Sequence, residues 1–393
     1  MQSCYFLGSA LHTSLGADSA SQLRALQQPP TAPGSVIVHY ADKSQTLPYK
    51  LLTGPNVEDA SKRLNQVVDA VITQALEAAQ LSTNERAATG LFLGTSSFNI
   101  NVVEQDYRND LLHDSHALVM AHCSSQGIFG HEVRKRHGLN GPDFSFNTAC
   151  TASANALIYA DAMVRSGRLK HALVLGVEMC NSLTALGFHG LQLLTLDTMK
   201  PFDKSRNGLV LGEGVSALVL GNRNPSKHHW HLRGSANLCD THGISATNPD
   251  GSVVAKVIDM ALHHAHLQPT DIAAIKVHGT ASLLNDEAEA AGMRHVFSTM
   301  PALCAIKPFI GHTLGACGLN ELLLFCAAAN DDFLIATPGI GNNSVEQGDT
   351  KLGVSLNQTQ CTLPPGNFLM NYFGFGGNNT ALVISNIRAN IKE

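Results

Sequence analysis

The stretch Phe144-Ser145-Phe146-Asn147-Thr148-Ala149-Cys150-Thr151-Ala152-Ser153-Ala154 joins two apolar runs of different period. Phe144 and Phe146 alternate as in a strand, whose end is read at Asn147-Thr148-Ala149. Thr151 to Arg165 holds no Gly or Pro and stops at Gly167, so it predicts a helix. Cys150 therefore heads that helix. Unpaired backbone N–H groups and the positive end of the helix dipole favour a thiolate there, and the thiol pKa is expected to fall below the ~8.5 of a free Cys.

Two later segments have the same strand-to-helix form. Ile275-Lys276-Val277-His278-Gly279-Thr280-Ala281-Ser282 ends a β-rich run in His278, and Ala305-Ile306-Lys307-Pro308-Phe309-Ile310-Gly311-His312 leads into an apolar helix that carries Glu321. One Cys and two His at matching junctions predict a cleft holding a nucleophile and two imidazoles. Around them, strand-like runs at 91–93, 172–175 and 217–220 alternate with helical stretches at 60–79 and 152–164. After the polar segment 222–227 the pattern restarts with helix 253–266, strand 272–277, helix 287–296 and strand 303–306. This is an α/β chain with buried sheets.

A length of 393 residues fits one or two domains of ~150–200 residues each. Hydrophobic residues at 44%, charged residues at 15% and 34 glycines suit closely packed α/β layers and leave no room for long disorder. A net charge of −5 without a Lys/Arg stripe excludes a nucleic-acid binder. The densest basic run, Arg134-Lys135-Arg136-His137, is either a solvated helix face or a local patch for an acidic partner. Nine scattered cysteines without a CxxC support neither a disulfide framework nor a zinc ribbon. With no signal-peptide pattern and no long clean apolar stretch, a soluble cytoplasmic protein is expected.

Three further segments fall in order with the Cys and His junctions: Tyr5-Phe6-Leu7-Gly8, then Lys200-Pro201-Phe202-Asp203-Lys204-Ser205-Arg206-Asn207-Gly208 running on to Gly214, then Asn371-Tyr372-Phe373-Gly374-Phe375-Gly376-Gly377-Asn378. Together they resemble the elongating β-ketoacyl-(acyl carrier protein) synthases of the thiolase superfamily. The resemblance implies a five-layer αβαβα fold of two duplicated halves, taken as residues 1–230 with the nucleophile and 231–393 with both histidines. It implies that Cys150 takes an acyl group from a carrier thioester, and that a malonyl-carrier then loses CO₂ to give the attacking carbanion. It assigns the oxyanion donors to the backbone N–H groups of Cys150 and Phe375 and the enolate to His278 and His312. Lys307 with Glu321 is expected to orient His312, and Thr280 and Ser282 to bind the pantetheine arm. Phe373 and Phe375 are candidate gates of the acyl pocket, and residues 96–135 are expected to line that pocket and a dimer interface. The implied partners are an acyl carrier protein and a second subunit, identical or paralogous. No cofactor is implied beyond the carrier's phosphopantetheine, and no metal.

Other motifs are set aside. His228-His229-Trp230-His231 and His263-His264-Ala265-His266 have no Cys or carboxylate at ligand spacing and are taken as surface histidines. Gly374-Phe375-Gly376-Gly377 lacks the spacing of a dinucleotide fingerprint. Against the related families, the second cysteine of degradative thiolases is missing, and His312 stands where an initiating synthase shows Asn. A chain-length-factor-like partner subunit, the alternative, typically lacks the nucleophile that is present here. Lys200 in place of a usual Arg, and Pro308-Phe309-Ile310 after Lys307, point to a specialised polyketide or polyene pathway.

Overall fold

Apolar strands that alternate with helices must bury both faces of their sheets, and the chain does so twice. The structure is a computed structural model that describes residues 2–40, 43–54, 57–118, 126–225, 229–244, 247–338 and 352–387. Its first sheet is built from β1 (Tyr5–Thr13), β2 (Gly90–Gly94), β3 (Asp143–Phe146), β4 (His171–Glu178) and β5 (Gly214–Gly221). Its second is built from β6 (His231–Cys239), β7 (Ile272–Lys276), β8 (Ala302–Cys304), β9 (Asn367–Gly374) and β10 (Asn378–Ser385). The strand orders are 3-2-4-5-1 and 8-7-9-10-6. Adding five to each member of the first order gives the second. Directions repeat as well: β3, β2 and β4 run parallel, as do β8, β7 and β9, and the last two strands of each sheet are antiparallel additions. One topology has been used twice.

Helices complete the layers. The helix α1 (Ala60–Ala78) packs on the outer face of the first sheet through Leu64, Val68, Ile72 and Ala75. Between the sheets lie α2 (Ala152–Arg165) and α5 (Cys317–Asn330); on the outer face of the second sheet lie α3 (Ser252–Ala265) and α4 (Leu283–Val296). Twelve of the 14 residues of α5 are buried, as a helix enclosed by two sheets requires. The central helices come close because glycine leaves room. A Cβ on Gly94 of β2 would lie 2.3 Å from Ser153 Cα, and one on Gly318 would lie 2.4 Å from Ala154 N.

Three local expectations are corrected. Residues 147–149 do not continue the strand: Ala149 has φ +50°, a conformation no strand accepts, and Ala149–Thr151 forms a 3₁₀ turn ahead of α2. The second-half helix expected from residue 287 begins at Leu283, its apolar first turn facing the site rather than a loop. Not all the histidine tracts are on the surface, because His229 is buried with its Nδ1 2.8 Å from Asn224 Oδ1; His228 lies outside the described residues. On the helix Gln126–His137, Arg134 bonds Asp143, and Arg136 and His137 bond Asp69. That run is anchored within the chain. Among the described residues, no helix is long and apolar enough to cross a membrane.

Candidate active site

The turn at Ala149 lifts Cys150 off the end of β3 and sets it at the head of the central helix, 6% exposed. The backbone N–H groups of Phe375 and of Cys150 itself are directed at the sulfur. The loop after β9 reaches this position because Gly374 has no side chain; a Cβ there would stand 3.1 Å from Cys150 N. Gly377, at φ +76°, is held still more tightly, with a Cβ placed 1.8 Å from Asp240 O. Burial pushes the Cys150 thiol up to about 11, against the charge of Lys307 and the two N–H groups. The expected depressed thiol is therefore corrected. A helix terminus favours a thiolate that water also solvates, and here desolvation is the larger effect.

His312 faces the sulfur, its Nε2 3.0 Å from Cys150 Sγ. The first half of the chain holds it in place: His312 N–H donates to Val210 O at 2.7 Å, and Gly212 N–H donates to His312 O at 3.0 Å. Position 212 must be glycine for this bridge, since a Cβ would lie 2.0 Å from Ile310 O. His278, from the end of β7, presents its ring 5.5 Å from that of His312 at an interplanar angle of 87°. Burial, then the Lys307 charge, holds both imidazoles well below the ordinary histidine range, so both are neutral at pH 7. The geometry is that of one thiol and two neutral imidazoles around a common space.

The model "Beta-ketoacyl synthase, N-terminal domain" matches residues 38–225, and "Beta-ketoacyl synthase, C-terminal domain" matches residues 230–340. The chain belongs to the β-ketoacyl synthase family. It is an acyltransferase that joins acyl units by Claisen-type condensation. It is similar to nodulation protein E of Rhizobium leguminosarum bv. trifolii, 28% identical over 95% of this chain and 96% of that protein. It is also similar to 3-oxoacyl-[acyl-carrier-protein] synthase 2 of Synechocystis, 29% identical over 79% of this chain and 78% of the other. Among solved structures, the ketosynthase ApeO in complex with its chain length factor ApeC from Xenorhabdus doucetiae has the same fold, with a TM-score of 0.82 and 23% identity over 98% of each chain.

In this ketosynthase the expected Lys307–Glu321 pair is present but oriented differently. Lys307 Nζ donates to Glu321 Oε1 at 2.7 Å and to His278 O at 2.7 Å, and lies 3.2 Å from His278 Nδ1. It holds His278, not His312. A lysine ammonium only donates, so Nδ1 of His278 is the acceptor and Nε2 carries the proton toward the site. Sequence spacing placed Lys307 five residues before His312, yet the side chain crosses to the neighbouring junction, a direction that spacing does not encode. His278 is pinned further by Glu289 on α4, which accepts the backbone N–H groups of His278 and Gly279 at 2.7 and 2.9 Å.

The space between these groups is a cavity of about 320 Å³ lined by Cys150, His278, His312, Phe373 and Phe375, with Thr280, Ser282 and Leu284 also on its wall. Thr280 Oγ1 and Ser282 Oγ lie 3.1 Å apart. Phe375 stacks on Phe188 at 5.7 Å and 10°, while Phe373 is buried and meets the His278 ring edge-on at 5.7 Å. Phe188 was not visible in the sequence as a site residue. It sits on the helix Ser182–Gly190 without a motif, and only the fold brings it to the glycine loop. Lys276, Glu289 and Asn371 were also missed, although a lysine inside a buried strand is a signal in itself.

Proposed function

We propose that the ketosynthase elongates carrier-bound chains by decarboxylative condensation, with Cys150 as the acylated nucleophile. Its sulfur attacks the acyl thioester carbonyl, His312 takes the thiol proton, and the pantetheine sulfur leaves as a thiol by taking a proton from the His312 imidazolium. The tetrahedral oxyanion forms beside the N–H groups of Cys150 and Phe375, where preorganised donors have their largest effect. A malonyl thioester then enters and its carboxylate carbon bond breaks to release CO₂. The remaining electron pair forms an enolate whose oxygen accepts from His278 Nε2–H and from His312 in the tautomer that carries its proton on Nε2. Attack of that carbanion on the acyl-Cys150 carbonyl makes the new carbon–carbon bond and releases the sulfur as a thiolate, which takes up one proton from solvent to restore the thiol. Thr280 and Ser282 serve the pantetheine arm, Phe188 and Phe375 the acyl chain. Glu321 holds Lys307, which orients His278.

The observation that carries this reading is the 3.0 Å approach of His312 Nε2 to Cys150 Sγ within a buried cavity that His278 also faces. Intact-mass measurement tests it. Incubation with acyl-carrier should add one acyl mass to the parent and to Cys317→Ala, and none to Cys150→Ala. Acylation of Cys150→Ala overturns the assignment. Cys317 is the apt comparison because its thiol is spent in donating to Cys150 O at 3.0 Å.

The partners follow from the same site. The substrates arrive on an acyl carrier protein, and the enzyme acts as a dimer in the cytoplasm, with a seam between its halves near residues 230 and 231. One edge of the second sheet is covered by the chain itself through the bridge from Leu303 to Leu356, whereas β3, the corresponding edge of the first sheet, meets no further strand among the described residues. An uncovered edge is a ready site for pairing with another subunit. A solved relative of this fold pairs a ketosynthase with a chain length factor. Should this chain have such a partner, Cys150 gives it the ketosynthase place in the pair.

A further inference from the structure

Lys276 ends β7, a strand enclosed by protein, and is fully buried. Its Nζ donates to Glu321 Oε2 at 2.6 Å and to Asn371 O at 2.8 Å, and stands 3.6 Å from the centroid of the Tyr372 ring. A carboxylate, a carbonyl and an aromatic face around one amine are the surroundings of an ammonium. The other oxygen of Glu321 is taken by Lys307 at 2.7 Å. Two cations thus share one carboxylate.

The neighbouring acids make no hydrogen bond to Lys276 among the described residues. Glu289 is occupied by two backbone N–H groups and by Asn371 Nδ2, and Glu178 by Ser96, Ser97 and Gly315. Burial raises the pKa of both carboxyls, and the charge of Lys276 works against that rise at Glu289. A Lys307–Glu321 pair alone would suffice to orient His278. Adding a second buried ammonium costs desolvation and contributes no bond to either imidazole.

We infer that Lys276 is a positioning residue that adds a second positive charge to the buried cluster beneath His278 and His312, and that this charge favours the malonyl step over the acyl-transfer step. The inference rests on the role given above to the two histidines. The acyl thioester reacts as a neutral molecule. The malonyl thioester enters as an anion and keeps its negative charge as an enolate once CO₂ has left, so a nearby unit charge in a low-dielectric interior acts on that step from binding onward, whereas acyl transfer carries negative charge only in passing. The charged and titratable groups around the imidazoles are Lys307, Lys276, Glu321, Glu289 and Cys150. The charge of Lys276 also lowers the pKa of both rings, after burial and Lys307 and, for His278, after His312 as well.

The test uses Lys276→Met, with Lys276→Gln as a second variant, in the full chain. Malonyl-pantetheine and octanoyl-pantetheine serve as probes. CO₂ release from malonyl-pantetheine should fall about tenfold, while acylation of Cys150 by octanoyl-pantetheine stays within about threefold. The acidic limb of CO₂ release should move to higher pH, because removing a cation lets both imidazoles protonate more readily. Equal loss of both steps, or an acidic limb that stays in place, overturns the inference and leaves Lys276 a packing residue. His278→Ala is measured alongside. If it decarboxylates at the parent rate, the histidine assignment itself fails. If it loses decarboxylation while both Lys276 variants keep it, only the charge inference fails.

Discussion

A thiol at about 11 beside a neutral imidazole keeps its proton until a substrate displaces the balance. Alkylation of Cys150 by iodoacetamide should therefore keep climbing from pH 7 to pH 10, without the plateau above ~8.5 that an ordinary thiol shows. A plateau below pH 8 would mean that the helix terminus and Lys307 outweigh burial. The same balance separates the two histidines. His312 is the group placed to receive the thiol proton, so His312→Ala should slow acylation as well as CO₂ release. In His278→Ala acylation should survive and CO₂ release should fall by roughly 10²-fold, the scale for losing one preorganised donor. Single-turnover acylation and CO₂ trapping check this split. Burial holds both rings well below 6.5, so lowering the pH from 7 to 6 should not extinguish CO₂ release through their protonation. Cys150, His278 and His312 were legible because each lies between a strand-like run and a helix. The thiol's raised pKa was not, since burial depends on what the other half of the chain lays over it.

At the level of elements, the site is an arrangement of junctions. The helix expected from 151 to 165 is present as Ala152–Arg165, and the strand expected from 272 to 277 as Ile272–Lys276. Apolar period and the positions of Gly and Pro carry that information locally. Contacts between elements do not have such a signature. Lys307 serves the neighbouring junction, and the Leu211–Gly212 strand, which pairs with the Lys43–Lys50 strand, also bridges to His312. Gly212→Ala puts this bridge to the test. The added methyl meets a backbone oxygen that has no free rotamer to escape into, so the variant should lose about 1–3 kcal/mol in denaturant unfolding. CO₂ release should fall with it, because His312 is displaced from the sulfur. Normal stability and normal turnover would show that the segment can move aside without disturbing the ring.

Across the whole molecule, the β3 edge, which meets no further strand among the described residues, predicts a dimer in sedimentation experiments, and Ser145→Lys should drive it toward monomer by setting like charges against each other across the pairing. An unchanged dimer in that variant places the interface elsewhere. The repetition of one strand order in both sheets was only partly readable from the sequence. The restart of the α/β pattern after residue 222 suggested it, but strand order is a property of pairing between distant segments and leaves no periodic trace. The shared topology also ties the two halves to each other. The turn after β3 and the segment after β8 stand at equivalent places in the two sheets, and they carry a sulfur and an imidazole that meet at 3.0 Å. Neither is a catalyst by itself. Each is the other's environment, so any change in one corner is tested at once by the fit of the other.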